Sequence, residues 1–275
     1  MKKIENKVVV ITGAASGIGR ALAIEFASLG AKLSLNDYDA IGLEDTRQLI
    51  KEKCPSVDVF TKIFDVSNLV EFSEFANETA SKFDSIDVVI NNAGISTSKG
   101  KIEDITFNDI YKVLDINIKG VVSGSKLFIP HLKKEKEASL VNISSVFGII
   151  APPEQSPYVA SKFAVKGFNE SLYLELKNTS ICVSSVHPGG IKTNIGKNSK
   201  RVYHTKEEEY LLEEFEKKAL ITSPETAAKI IIEGIKKKKR KILIGKDAKL
   251  INLLNAISPR LMRFILLKIE KINKI

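Results

Sequence analysis

The stretch Val8-Val9-Val10-Ile11-Thr12-Gly13-Ala14-Ala15-Ser16-Gly17-Ile18-Gly19 constrains the fold more than any other. Its unbroken apolar start reads as a strand covered on both faces. The glycines that follow turn it straight into a helical pattern, with Ile18, Leu22 and Phe26 on one face. Gly30 then stands where a helix C-cap belongs. A strand buried on both sides needs a layer above and a layer below, which is the arrangement of an α/β sandwich.

The rest of the chain repeats this alternation. Strand patterns fall at residues 31–36, 57–64, 86–90, 139–143, 180–186 and 241–244. Helical patterns fall at 41–53, 69–82, 109–132, 157–178 and 224–237, the last with Ser223 as N-cap and Pro224 in its first turn. Strands that each feed a helix imply parallel pairing with right-handed crossovers, hence a doubly wound sheet of about seven strands with helices on both faces. Residues 1–245 read as one domain. Within it, 189–223 is a polar excursion, with a short helix expected over 210–220, and excursions of that length are usually either functional lids or disordered. Residues 246–275 read as a helical extension, with helices at 247–257 and 260–272 separated by Ser258-Pro259.

Composition narrows the class. Two cysteines, Cys54 and Cys182, make no disulfide framework, and no spacing suggests a zinc site, so a reducing, cytoplasmic setting is expected. His131, His187 and His204 show no ligand spacing, and no metal is expected. The first apolar run is too short for a signal peptide, and none approaches the ~18 residues of a membrane span. Lys+Arg exceed Asp+Glu by 42 − 33 = 9. The lysines are scattered apart from Lys236-Lys237-Lys238-Lys239-Arg240-Lys241, which reads as a solvated helix end rather than a patch for an anionic membrane surface or nucleic acid.

Three constellations carry chemistry. Glycine at 13, 17 and 19 removes the Cβ atoms that would keep a pyrophosphate off a helix N-terminus. Tyr158 and Lys162, four residues apart, stack on one helical face, where an ammonium favours the phenolate form of its neighbour. Asn91-Asn92-Ala93-Gly94 closes the apolar strand of Val88-Val89-Ile90.

The spacing Gly-x-x-x-Gly-x-Gly, together with Asn91-Asn92-Ala93-Gly94 and Tyr158-x-x-x-Lys162, resembles the short-chain dehydrogenase/reductase family. The resemblance covers about residues 7–193 and, more loosely, 224–245. It implies hydride transfer between a nicotinamide and a carbinol or carbonyl carbon, interconverting an alcohol with a ketone or aldehyde. It implies Tyr158 as general acid/base and Lys162 as the group that lowers the phenol pKa and holds the nicotinamide ribose. Ser145, thirteen residues before Tyr158, would orient the substrate oxygen, with Ser144 structural. Asn117 would link Lys162 to solvent through water. Cofactor contacts are implied at Gly13, Ser16, Gly17, Ile18 and Gly19, at Asp37, at Asp65 and Val66, at Asn92, Ala93 and Gly94, at Tyr158 and Lys162, and at Pro188, Gly189, Ile191 and Thr193. Asp37 ends the second strand, where a carboxylate accepts bonds from ribose hydroxyls and repels a 2′-phosphate, so NAD is expected over NADP.

The tail carries apolar residues at helical spacing, Leu250, Leu253, Leu254 and Ile257, then Leu261, Ile265, Ile269 and Ile272, with Arg263, Lys271 and Lys274 opposite. Packing on the domain or on a second subunit is expected ahead of membrane docking, and the apolar character points to a lipid-like substrate. The family resemblance implies a homodimer or homotetramer. The competing reading is a non-catalytic NAD-binding sensor or scaffold on the same fold.

Overall fold

A computed structural model describes residues 1–96, 100–193 and 220–272, with only the helical backbone described for 269–272. The helix expected over 210–220 lies outside the described residues except for Leu220, as do His204 and most of the 189–223 excursion.

Seven strands run in the order β3-β2-β1-β4-β5-β6-β7, every pair parallel. They are β1 Val8–Thr12, β2 Lys32–Asp37, β3 Val59–Ile63, β4 Val88–Asn91, β5 Ala138–Ile143, β6 Ile181–Pro188 and β7 Lys241–Ile244. The order reverses direction between β1 and β4, opening a crevice beyond their carboxyl ends. Every β1 residue is buried, and alternate side chains serve opposite layers. Val9 and Ile11 join the core under α1 (Gly17–Ser28), α2 (Ala40–Lys53) and α7 (Pro224–Lys236), with Leu22, Phe26, Leu43 and Ile231. Val8 and Val10 join the opposite core, where Phe72 and Phe75 of α3 (Leu69–Lys82) meet Phe128 and Leu172.

Local signals set the helix limits. Gly30 takes φ +77° and closes α1, its N–H donating to Ala27 O at 2.9 Å. Asp39, Asn68 and Ser223 cap α2, α3 and α7 through side-chain oxygens. The helix expected over 109–132 divides into α4 (Phe107–Leu114), a π-helical turn at Asp115–Lys119, and α5 (Gly120–Leu132). After the 3₁₀ turn Val146–Gly148 comes α6 (Ser156–Glu175).

The basic run behaves as a helix end. Lys236 and Lys237 reach Glu233, Lys238 pairs with Glu137 at 2.6 Å, and Arg240 pairs with Glu170 at 2.8 Å. In the tail helices α8 (Lys246–Ile257) and α9 (Pro259–Ile272), Ala248, Met262, Ile251, Leu254, Ile265 and Leu266 share an apolar cluster with Val146, Ile149 and Ile150. The packed face differs from the expected stripe, because Leu250, Leu253, Ile257 and Leu261 point outward. Both helices are apolar on more than one side, so periodicity alone permits two inward faces. Among the described residues no helix is long and apolar enough to cross a membrane.

Candidate active site

The turns after β1 and β4 are fastened to each other. Thr12 Oγ1 accepts the N–H groups of Asn92 and Ala93, each at 3.1 Å, and Asn92 Nδ2 donates to Thr12 O at 2.9 Å and Gly13 O at 3.0 Å. Gly13 has φ +69°, and a Cβ there would lie 2.8 Å from Ala93 Cα. A Cβ on Gly19 would strike the Gly13 carbonyl, and one on Gly17 would press Thr193 Cγ2 at 3.2 Å. Thr193 is thereby placed beside the glycine turn. Ser16 leaves the first turn of α1 without a side-chain cap. The result is an open cradle at a helix N-terminus, the geometry that suits a phosphate.

Asp37 adjoins this cradle. Its Oδ2 accepts Ala15 N–H at 2.8 Å and its Oδ1 accepts Asp39 N–H at 3.1 Å. Burial raises its carboxyl above the usual carboxylate range, with these backbone bonds pulling the other way. Asp65 is exposed and binds the Ser67 amide and hydroxyl, while Val66 is buried against Gly120.

On the other side of the crevice, α6 presents Tyr158 and Lys162, both buried. The Lys162 ammonium lies 5.5 Å from the Tyr158 ring centroid and donates to Ile143 O at 3.2 Å. Burial lowers the Lys162 pKa to about 8. Burial also raises the Tyr158 phenol, opposed by a hydrogen bond from the Ser145 side chain. Desolvation outweighs that hydrogen bond, since removing a phenolate from water costs more than a hydrogen-bonded hydroxyl returns. Ser145 is held by its own turn, Phe147 N–H donating to its Oγ at 3.1 Å. Ser144 is turned away, donating to Lys162 O at 2.9 Å.

Asn117 sits in the π-helical turn, fully buried. Its Nδ2 donates to Ile95 O at 2.9 Å and Ser161 Oγ at 3.0 Å, and its Oδ1 accepts Ile95 N–H at 2.8 Å. Gly94 fits between Asn117 and Lys162: a Cβ there would be 3.2 Å from Asn117 Oδ1 and 3.3 Å from Lys162 Nζ. Asn117, Gly94, Lys162 and Tyr158 thus form one continuous wall.

The strand-end segment from Pro188 to Thr193 closes the crevice. Gly189 N–H donates to Ile244 O at 2.9 Å, and buried Ile191 bridges to Thr222. One residue here escaped the sequence reading. Asp247 Oδ2 accepts Gly190 N–H at 2.7 Å, and a Cβ on Gly189 or Gly245 would collide with this carboxylate. The signal was the set of glycines at 189, 190 and 245 around one acid, which no local pattern joins. His187, which shows no ligand spacing in the sequence, is buried: Nδ1 lies 2.9 Å from Ser145 O and Nε2 3.0 Å from Ser185 Oγ. It braces the segment that carries Ser145.

The glycine cradle and Asp37 fit the phosphates and ribose of a dinucleotide, and the Tyr158–Lys162–Ser145 group fits proton exchange at the far end. Among the described residues no group of three or more His, Cys, Asp and Glu could hold a metal ion. Residues 7–203 match the family model described as short chain dehydrogenase. The Mycobacterium tuberculosis protein SadH is 39% identical over 256 residues, covering 92% of this chain and 91% of that protein. Levodione reductase of Leifsonia aquatica is 33% identical over 213 residues, covering 78% and 80%. A short chain dehydrogenase/reductase from Burkholderia phymatum, solved in complex with NAD, superposes with a TM-score of 0.84 at 28% identity over 95% of this chain and 96% of that one. This chain belongs to the short-chain dehydrogenase/reductase family, oxidoreductases that act with a nicotinamide cofactor.

Proposed function

We propose that this protein interconverts a secondary alcohol and a ketone, or an alcohol and an aldehyde, by hydride transfer with NAD. The observation that carries the proposal is the convergence of Tyr158, Lys162 and Ser145 on one buried point beside the glycine cradle. The cofactor supplies the hydride chemistry, and the protein supplies position and proton handling. Gly13, Ser16, Gly17, Ile18 and Gly19 would hold the pyrophosphate. Asp37 would take the adenosine ribose hydroxyls, and Asp65 and Val66 would flank the adenine. Asn92, Ala93 and Gly94 would line the middle of the site. Tyr158 and Lys162 would hold the nicotinamide ribose, with Pro188, Gly189, Ile191 and Thr193 around the carboxamide.

Burial keeps the Tyr158 phenol protonated, so Tyr158 is ready to donate a proton to the oxygen of a carbonyl as hydride arrives at carbon. Acting as base in the reverse direction, it depends on nearby positive charge, of which Lys162 is the protein's share. The Ser145 hydroxyl would hold the substrate oxygen and stabilise charge on it. Asn117 would carry the proton path from Lys162 toward solvent. Residues 1–245 would act as the catalytic unit, and 246–275 as an extension on it. The substrate is expected to be apolar, the assembly a homodimer or homotetramer, and the setting the cytoplasm.

The test is reduced-nicotinamide absorbance across a panel of alcohols and carbonyl compounds, with NAD and NADP in parallel. Turnover with NAD preferred is the expected result. NAD binding without turnover on any panel member would favour a sensor instead. In Asp37→Ala the preference for NAD over NADP should fall about tenfold, the equivalent of ~1.4 kcal/mol for a lost charged hydrogen bond.

A further inference from the structure

The hairpin of α8 and α9 has one face packed on the domain and one left bare. On the bare face Leu250, Leu253, Ile257, Leu261, Phe264 and Leu267 are 55%, 56%, 72%, 45%, 54% and 57% exposed. They lie at helical spacing, 250, 253 and 257 along α8, then 261, 264 and 267 along α9, so they form one apolar stripe across the hairpin. Isolated apolar residues on a surface need no explanation, whereas six on two touching helices do.

Charge identifies the occupant. Lys246, Lys249, Arg260, Arg263 and Lys268 are all exposed on the same two helices. None of them has an ion-pair partner among the described residues. Lys268 lies over the Phe264 ring at 4.9 Å, so a cation and an apolar ring share one edge of the stripe. Asp247 is the only acid between residues 246 and 268, and it is turned inward to Gly190 N–H. A second copy of this chain fits poorly, because a two-fold contact would set these five exposed cations against the same five. A surface of anionic lipid headgroups fits both features, taking the apolar stripe into its interface and the cations at its rim.

We propose that the outer face of the α8–α9 hairpin docks the protein on anionic membrane surfaces. This goes beyond the proposed reaction and does not depend on it. Beneath the hairpin a cleft of about 250 Å³ is lined by Ile149, Ile150, Phe163, Met262 and Leu266 among others. Ile149 and Ile150 follow Ser145 by only four and five residues, so a docked hairpin brings lipid close to the site.

The experiment is flotation of the full-length protein with vesicles of phosphatidylcholine alone or mixed with phosphatidylglycerol. Co-flotation with the mixed vesicles is expected, about tenfold weaker with phosphatidylcholine alone and weaker again in high salt. Leu253→Glu combined with Phe264→Glu should reduce it about tenfold or more. Arg260→Glu combined with Arg263→Glu should erase the preference for anionic lipid. All four side chains are exposed, so the thermal midpoints should match the parent. Failure to float with mixed vesicles would overturn the proposal, as would equal flotation of the Leu253/Phe264 variant. Self-association in lipid-free solution that the same two substitutions abolish would assign the face to a second copy instead.

Discussion

Mild acid should destabilise this protein through His187. The imidazole is 1% exposed. Since a carbonyl only accepts, Nδ1 must carry the proton donated to Ser145 O, and Nε2 must accept from the Ser185 hydroxyl. Charging the ring means ionising it in a dry site. Burial, and secondarily Lys241 and Lys166, lower its pKa from 6.5 to about 4, with the Ser145 carbonyl opposing. The folded pKa lies below the unfolded one, so the unfolded chain takes up the proton first. Stability therefore falls as pH drops through the window from about 6.5 to about 4 and levels off below it. At 1.36 kcal/mol per pKa unit, the full window is worth about 3 kcal/mol, of which roughly 2 kcal/mol is gone by about pH 5. Working at that pH also stays above the window of Glu137, whose carboxyl is lowered to about 2 first by its hydrogen bond to Lys238 and whose contribution is lost only below its unfolded value of 4.5. Urea denaturation at about pH 7 and about pH 5 should show the parent losing ~2 kcal/mol more than His187→Gln across that interval. The variant should start lower at neutral pH, because it loses well-placed hydrogen bonds, yet have the flatter pH dependence. Equal slopes for parent and variant would refute the reasoning.

Tyr158→Phe should abolish turnover while leaving NAD affinity within a few fold, as read by nicotinamide fluorescence, because it removes the exchanged proton and little surface. Gly13→Ala should cost about 2–4 kcal/mol in thermal or urea denaturation and weaken NAD binding, since the left-handed backbone and the Ala93 contact both resist a Cβ. Asp247→Ala should raise the dissociation constant for NAD about tenfold or more, since Gly190 N–H loses a charge-assisted bond worth ~1.5–3 kcal/mol; unchanged affinity in calorimetry would separate that carboxylate from the site.

The doubly wound sheet was legible because β1 and β4 carry unbroken apolar runs, Val8–Ile11 and Val88–Ile90, and each run ends in polar and glycine residues that make a turn. The motifs of the proposed site were legible because each is local in sequence, the turns after β1 and β4 and the Tyr158–Lys162 pair within α6. What stayed hidden depends on contacts between distant segments. Asp247 and Gly190 are separated by 57 residues and meet only because β6 pairs with β7. The role of His187 needs β5 beside β6, which brings Ser145 O within reach. In α8, Leu250 and Leu253 fit a buried stripe as well as Ala248, Ile251 and Leu254 do, and only the shape of the domain chooses between them. The phenol of Tyr158 shows the limit for electrostatics: sequence gives its charged neighbour but not the depth of its burial.

The π-helical turn at Asp115–Lys119 has a consequence for anyone who would redesign this chain. It holds one more residue than an α-helical path would need. Deleting a residue there would let α4 run smoothly into α5 and improve the local backbone hydrogen bonding. It would also rotate everything on one side of the cut by about 100° relative to the other. Either Asn117 would swing away from Ile95 and Ser161, or Ser125 and Phe128 would leave the core they share with Asn91 and Phe72. The bulge therefore acts as a phase adjuster between two faces of one rod, and a straighter, more regular helix would make a less competent protein.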